Sequence, residues 1–510
     1  MSILSVNDLT FSYEGSFDNV FENVSFNVDT SWKLGLIGRN GKGKTTLLRL
    51  FMGGREYSGS ITASTGFDYF PYSLSEGDLE KSAAELAEKW KNGVEMWQIL
   101  IQLSQIKMDA EVMYRPFKTL SHGERTRVML AVLFAAENEF LLIDEPTNHL
   151  DTEARNIVKE YLAGKKGFIL VSHDRDLLDN VVDHVLVLNR QSIEVQAGNF
   201  SSWWENKERS DAFALAENEK HLKEIGKLKG AVDQSTRWAD KNENTKIGFD
   251  PKKEPERNIS TRSYIGAKTK KMQARVKSYE KRINREIEEK EGLLSDIEKT
   301  PDLKLNPLSY HKEVLVNAYD LSLGYEGSQP HFEDMRFQIK RGSRVVLSGE
   351  NGCGKSSIIK AILQRSGFKL PEGAASDMKI SGELSVGASL EISYIDQDTS
   401  FLKGTLKDFC RERSLDESLM LAVLRQLDFE RKQFGKDMRE FSEGQKKKVL
   451  VASSLITPAH LYIWDEPLNY MDVFSRMQIE KLILSAEPTM LLVEHDVRFR
   501  EKIATDVVLF

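Results

Sequence analysis

A chain that carries the same ordered set of short motifs twice can fold in few ways. Here GRNGKGKT around Lys44 returns as GENGCGKS around Lys355, 311 residues later. LSHGE at Ser121 returns as FSEGQ at Ser442, and LLIDEPTNHLD at Asp144 as LYIWDEPLNYMD at Asp465, both after 321 residues. LVSHD at His173 returns as LVEHD at His495 after 322. Four stretches in one order at a nearly constant offset mark a duplicated domain. At 510 residues the chain has room for both copies and a third region between them.

In the first copy, β-rich segments Ile3–Phe11 and Val20–Val28 lead into an apolar strand, Leu34–Ile37. A glycine-rich turn and a helix from Thr45 follow. Helical patterning covers about Leu79–Gln105 and Glu124–Ala136. Strands are predicted at Phe140–Ile143 and Phe168–Val171, with a helix between them. The second copy repeats this from about Glu313. Such alternation predicts α/β domains with a parallel core sheet. One is expected over residues 1–200 and one over 311–510, joined by a helical linker, 201–310.

G-x-x-x-x-G-K-[ST] between a buried strand and a helix is a P-loop, a phosphate cradle. Gly38, Gly41 and Gly43 let backbone N–H groups point inward, Lys44 adds a point charge, and the Thr45 hydroxyl suits Mg²⁺. Asn40 and Thr46 belong to the same stretch; Gly349, Asn351, Gly352, Gly354, Lys355, Ser356 and Ser357 repeat it. The predicted ligand is ATP with Mg²⁺. Apolar strands ending in Asp144-Glu145 and Asp465-Glu466 deliver one carboxylate to the cation and the next to an attacking water. Alone, such a pair is more often a helix cap; downstream of a P-loop that reading loses its weight. His173 and His495 end the next apolar strands and fit a γ-phosphate contact. Tyr13 and Tyr325 lie 31 and 30 residues before the P-loop lysines, placed to stack on adenine; the plainer reading is a core tyrosine.

Composition excludes several classes. No apolar run approaches the ~20 residues of a membrane helix, and the first residues lack the pattern of a signal peptide. Cys353 and Cys410 are the only cysteines, too few for a disulfide framework or a Cys-ligated zinc site, so a reducing compartment, the cytoplasm, is expected. The charge is uneven. Residues 257–285 hold ten Lys/Arg against Glu280 alone, a local +9 in a chain of net −7. A basic block in an acidic protein fits a polyanion, nucleic acid before membrane, or simply a solvated charged helix. Trp204, Leu215, Leu222, Ile225 and Val232, then Val276, Tyr279, Ile283, Ile287, Leu294 and Ile297, are spaced as two coiled-coil-like seams. They predict two antiparallel helices with a tip at about 241–263. Trp238 and Phe249 near that tip suit contact with unstacked RNA bases, and Lys268, Lys270, Lys271 and Arg275 suit phosphates.

LSHGE and FSEGQ resemble the ABC signature LSGGQ. They are followed by the Asp-Glu strand, a D-loop (Asp151, Asp472) and a switch histidine. Two such domains on one chain around a charged helical linker resemble the ABC-F proteins over essentially all 510 residues. The resemblance implies a monomer closed as a head-to-tail sandwich around two ATPs. Ser442 and Gly444 would cap the site of Lys44, and Ser121 and Gly123 that of Lys355. It also implies Gln397 as a Mg²⁺ ligand, where the matching position in the first copy is Tyr72, so the sites should be unequal. His122, Glu443 and Glu124 depart from the signature but leave its serine and glycine. YFPY and YIWDEPLNYMD are similar to the forms of the Lsa/Vga-type resistance group. That similarity implies binding in the ribosomal E site, beside large-subunit rRNA and P-site tRNA. The linker would then displace lincosamides, streptogramin A or pleuromutilins from the peptidyl-transferase centre. Neither DNA nor a membrane is an expected partner. The rivals are a translation factor without a resistance role, and, further off, a transporter ATPase subunit.

Overall fold

The structure, a computed structural model of the chain, describes residues 2–14, 19–136, 139–148, 150–189, 193–244, 274, 277–279, 281–283, 285, 304–325, 330–368 and 378–510. The chain divides into two compact units, residues 1–203 with 301–510, and residues 204–300. The first unit contains both copies of the repeat.

The first copy begins with β1 (Ile3–Phe11), β2 (Phe21–Asp29), β3 (Lys33–Gly38), β4 (Ser58–Thr62) and β5 (Gly66–Phe70). It continues with β6 (Glu139–Asp144), β7 (Phe168–Val171), β8 (His184–Leu188) and β9 (Ile193–Ala197). β2-β1-β4 form an antiparallel sheet, and β5-β6-β7-β3-β8-β9 a second sheet that is parallel except at β9. β7, FILV, is buried at every residue, as a strand covered on both faces must be. β2 alternates toward a one-sided core. Between the two sheets lies the helix Lys44–Phe51, whose Leu47 and Leu48 join Val6, Phe26, Leu34 and Leu36 in one apolar cluster. The turn before this helix is therefore gripped from both sides.

The second copy repeats the plan with β10 (Val314–Tyr325), β11 (Phe332–Lys340), β12 (Arg344–Ser348) and β13 (Met378–Val386). β14 (Ile392–Ile395), β15 (Leu461–Asp465), β16 (Met490–Val493) and β17 (Asp506–Leu509) complete it. β11-β10-β13 are antiparallel and β14-β15-β16-β12-β17 parallel. The expected architecture, two tandem α/β domains on parallel sheets, is what the first unit shows.

Helix limits differ from the sequence pattern in two places. The stretch 79–105 is not one helix but two, Ala83–Trp90 and Met96–Gln105. Gly93 takes φ 89 between them, and Lys91 turns inward to Asp68 at 2.7 Å and Glu139 at 2.8 Å. The helix expected from Glu124 starts at His122. Ser121 caps it and Glu124 closes the reciprocal bond, a capping box that Ser442 and Gln445 repeat. The last signature residue is thus a cap in both copies, and Glu serves as well as Gln.

A single helix, Phe200–Asn244, begins at the end of the first unit's residues 1–203, continues into the second unit, and runs for 45 residues, about 68 Å at the helical rise. It passes through Gly226 and Gly230 without a break. Residues 274, 277–279, 281–283 and 285 are also helical. Ile225 and Ile283 are the buried side chains among the described residues of this unit. Leu215, Leu222 and Tyr279, expected in the seams, are exposed instead. Heptad spacing marks a stripe, but burial needs a partner surface at each level of it. Phe249, Lys268, Lys270, Lys271 and Arg275 lie outside the described residues, as does the Trp238 side chain.

Candidate functional site: two clefts between the repeated halves

Glycine is required in each P-loop for two separate reasons. Gly41 and Gly43 have φ 81 and 90, and Gly352 and Gly354 have 85 and 105, all left-handed. A Cβ on Gly43 would also lie 2.7 Å from Val20 and 2.8 Å from Phe21. Gly38 and Gly349, expected to turn the chain, keep ordinary φ; they are small because Leu188 (3.1 Å) and Phe510 (2.8 Å) crowd them. The loop lysines are buried. Lys44 Nζ donates to the carbonyls of Gly38 (2.6 Å) and Arg39 (3.3 Å), Lys355 Nζ to those of Gly349 (2.9 Å) and Glu350 (2.6 Å). Burial lowers the Lys44 pKa.

Asp144 and Asp465 end their strands beside the P-loop hydroxyls. The Thr45 hydroxyl donates to Asp144 at 2.8 Å, and Ser356 bonds Asp465. Glu145 and Glu466 follow with φ 52 and 48, a left-handed conformation that costs on the order of 1 kcal/mol. Their surroundings differ. Glu466 accepts from Gln397 (2.8 Å) and Asn469 (2.6 Å), with His495 Nε2 3.4 Å away. Burial pushes that carboxyl up, but His495, Lys447 and Gln397 outweigh it and its pKa lies below the ordinary value. Glu145 accepts the His173 backbone N–H at 3.3 Å, and burial beside Asp144 pushes it up to about 8. Burial and nearby Lys44 hold His173 well below its usual pKa, hence neutral. Burial also raises Asp465 to about 6.

Tyr72 accounts for the difference. Its ring stacks on Trp90 at 4.9 Å and its hydroxyl donates to Asp68 at 2.8 Å, away from Glu145. Tyr69 instead donates to Asp144 at 3.0 Å. Sequence reasoning missed Tyr69, although its counterpart Tyr394 stands at the matching place in YIDQD.

The two halves meet around these groups. A cleft of about 1190 Å³ is lined by Tyr13, Asn40 and Gly41 of the first half and by Ser442, Gly444 and Tyr470 of the second. Asn40 Nδ2 donates to the Tyr470 carbonyl at 2.9 Å, and Arg39 forms an ion pair with Asp428. Lys448 holds buried Asp472 at 3.3 Å. A second cleft, about 540 Å³, is lined by Gly352, Gly354, Lys355, Ser356, Ser357, Asn351, Gln397, Glu466 and His495, with His122, Leu150 and Arg155 from the first half. Ser121 and Gly123 do not line it; His122 between them does. Tyr13 is engaged on two sides: its hydroxyl is 2.7 Å from that of Thr46, and the Arg55 guanidinium lies 4.9 Å over its ring. The Tyr325 side chain lies outside the described residues. Arg175 and Glu480 form a further buried contact between the halves, at 2.6 Å.

These residues fit a magnesium nucleotide. Glu145 Oε1, Asp465 Oδ1 and His495 Nε2 are buried without a hydrogen-bond partner, and His495 lines one cleft together with the left-handed Gly352 and Gly354.

Comparison with known proteins gives a consistent picture. The ABC transporter family model matches residues 21–148 and 332–469. The putative ATP-binding protein YdiF of Bacillus subtilis is 27% identical over 561 aligned positions, covering 100% of this chain and 80% of its own. The ribosome protection protein VmlR of the same organism is 26% identical, covering 96% and 84%. The ATP-binding protein Uup of Escherichia coli is 24% identical, covering 100% and 80%. Among solved structures, the archaeal ribosome recycling factor aABCE1, in complex with the stalk protein aP1, is similar at TM-score 0.60 and 18% identity. That match covers 98% of this chain and 87% of the other, and it shows the fold.

Proposed function

Since the chain belongs to the ABC transporter family and carries two of its ATP-binding domains, we propose that they bind and hydrolyse ATP at two sites shared between the halves. The observation that carries this is the reciprocal lining of the clefts, each P-loop facing signature or D-loop residues of the other half. Mg²⁺-ATP brings the phosphoanhydride to be cleaved and the cation that offsets its charge. Lys44 and Lys355 exchange their loop carbonyls for phosphate oxygens. Thr45, Asp144 and Tyr69 in one site, and Ser356, Asp465 and Gln397 in the other, stand around the cation position. Glu466, kept ionised by His495, Lys447 and Gln397, orients water; Glu145 does so once it loses its proton. His173 and His495 stand beside these glutamates at 3.3 and 3.4 Å and complete the γ-phosphate contact.

The wider reading is a cytoplasmic, monomeric, ribosome-binding protein that protects the peptidyl-transferase centre from lincosamide, streptogramin A or pleuromutilin drugs through its linker. Three things support it: the similarity to a ribosome protection protein over 96% of this chain, the +9 segment, and the 45-residue helix that precedes it in the chain. Among the described residues no helix is long and apolar enough to cross a membrane. The second reading, a translation factor with no drug role, is favoured by relatives equally similar and named only as ATP-binding proteins.

The test is Glu145→Gln with Glu466→Gln. The double variant should bind ATP without turnover and co-sediment with ribosomes only when ATP is present. Wild-type turnover would refute the site assignment. Absence of co-sedimentation would refute the ribosomal partner, and unchanged drug susceptibility of expressing cells would select the second reading.

A further inference from the structure

The second half contains a bridge that the first half lacks. Its signature helix, Glu443–Ile456, begins at the cleft that holds the first P-loop. Two of its residues reach back to the loop that carries Gln397. Lys447 Nζ donates to the Asp396 carbonyl at 3.0 Å, and the Thr399 hydroxyl donates to Glu443 Oε2 at 2.6 Å. Gln397, between those anchor points, donates to Glu466 in the other cleft. Lys447 and Thr399 are buried, at 2% and 5% exposed, while the Glu443 carboxylate that Thr399 meets is half exposed. Three hydrogen bonds thus connect the signature facing one cleft to the water-orienting carboxylate of the other.

The matching positions in the first half are Pro71, Tyr72, Leu74, His122 and Thr126. Leu74 has no hydroxyl and Thr126 no ammonium, so neither bond can be repeated. Tyr72 is committed to Trp90 and Asp68 instead.

We propose that Lys447 and Thr399 are positioning residues that carry the nucleotide state of the first cleft to Glu466 in the second, in that direction only. The inference rests on the two-site reading above and adds its regulation. When nucleotide draws Ser442–Gly444 onto the first P-loop, the signature helix shifts. The Asp396–Thr399 loop shifts with it, and Gln397 is pressed toward or pulled from Glu466. Among the described residues, closure of the first half's signature on the second P-loop has neither of these two bonds to carry it toward Glu145.

The experiment confines nucleotide to one cleft. In full-length protein with Lys355→Ala, only the first cleft can bind ATP. Fluorescent ATP analogue binding is measured, and hydrogen–deuterium exchange is followed at the amides of residues 396–400. Saturating the first cleft should slow exchange there by at least about five-fold. Adding Thr399→Val with Lys447→Gln should remove that slowing while the analogue still binds, and restoring the hydroxyl as Thr399→Ser should bring part of it back. The mirror protein, Lys44→Ala, should show no nucleotide-dependent change at residues 71–75. The proposal is overturned if exchange at 396–400 ignores the first cleft, or if the slowing survives both substitutions. If the analogue binds neither single-cleft protein, the two-site reading falls and takes the proposal with it. Circular dichroism melting separates these outcomes from misfolding. Should the double substitution unfold, Thr399→Val alone, which changes one atom's polarity at constant shape, must still reduce the slowing or the proposal fails.

Discussion

Glu145→Gln should make the protein more stable, and by an amount that depends on pH. Burial and adjacent Asp144 push this carboxyl up to about 8 from an ordinary 4.5. A carboxyl whose pKa is raised on folding holds its proton more tightly in the folded chain. Its contribution to stability is therefore intact below about pH 4.5 and lost as the pH rises toward 8. At pH 7 the gap spans some two and a half units at about 1.4 kcal/mol each, a cost of about 3 kcal/mol. At pH 5 it shrinks to about 1 kcal/mol. Glutamine has the same shape, keeps an acceptor for the His173 N–H, and carries no charge to desolvate. For a half of this size, the nucleotide-free, EDTA-treated variant should melt roughly 5–10 °C above wild type at pH 7 and within about 3 °C of it at pH 5. Glu466→Gln should go the other way, lowering the melting temperature at pH 7. That carboxylate's folded pKa is depressed, so it stabilises above pH 4.5 and loses the effect only as the pH falls. Differential scanning calorimetry of the two variants side by side is the assay. If Glu145→Gln melts no higher than wild type at pH 7, or if its gain is the same at pH 5, the unequal environments argued for the two glutamates are wrong.

Other perturbations probe the remaining contacts. Tyr69→Phe removes one donor to Asp144 and should weaken Mg²⁺-dependent nucleotide binding in the first cleft several-fold without affecting the second, checked by titration in a Lys355→Ala background. Arg39→Ala and Asp428→Ala, separately and together, should show a coupling of about 1 kcal/mol in thermal stability, the ordinary size for a partly exposed pair; additive effects would mean that it holds nothing. Reversing the charges of Lys268, Lys270, Lys271 and Arg275 should weaken ribosome binding and flatten its dependence on salt, with ATP turnover in the absence of ribosomes unchanged. An unaltered salt slope would leave the basic run a solvated face.

What the sequence made legible was set by local rules. FILV and LLID read as short strands covered on both faces, and a loop of alternating glycines before a lysine has one well-known use, so both parallel sheets and both P-loops could be placed by number. The errors have one cause, contacts between residues distant in sequence. Lys91 breaks the helical pattern because Asp68 and Glu139 wait for it in the core. Tyr72 holds the expected position but turns to Trp90, which spacing from the P-loop could not reveal. Leu215 and Leu222 keep a heptad rhythm yet remain exposed. Arg39 fills an unconstrained position of its P-loop, and Asp428, Lys447 and Thr399 belong to no motif; only the fold brings their partners to them.

The pairing of Arg39 with Asp428 also bears on what would happen if the two halves were made as separate chains. Asp428 follows the helix Glu417–Gln426 with φ 57; at the same place in the first half, after Met96–Gln105, stands Lys107 with φ 56. The counterpart of Arg39 is Glu350. Two copies of the first half, brought together head to tail, would set Arg39 against Lys107, and two copies of the second would set Glu350 against Asp428. Arg175 sharpens the bias, because the first-half counterpart of its partner Glu480 is Lys159. Each half repels its own kind and attracts the other. A mixture of the two halves made as separate chains is therefore expected to favour unlike pairs over like ones.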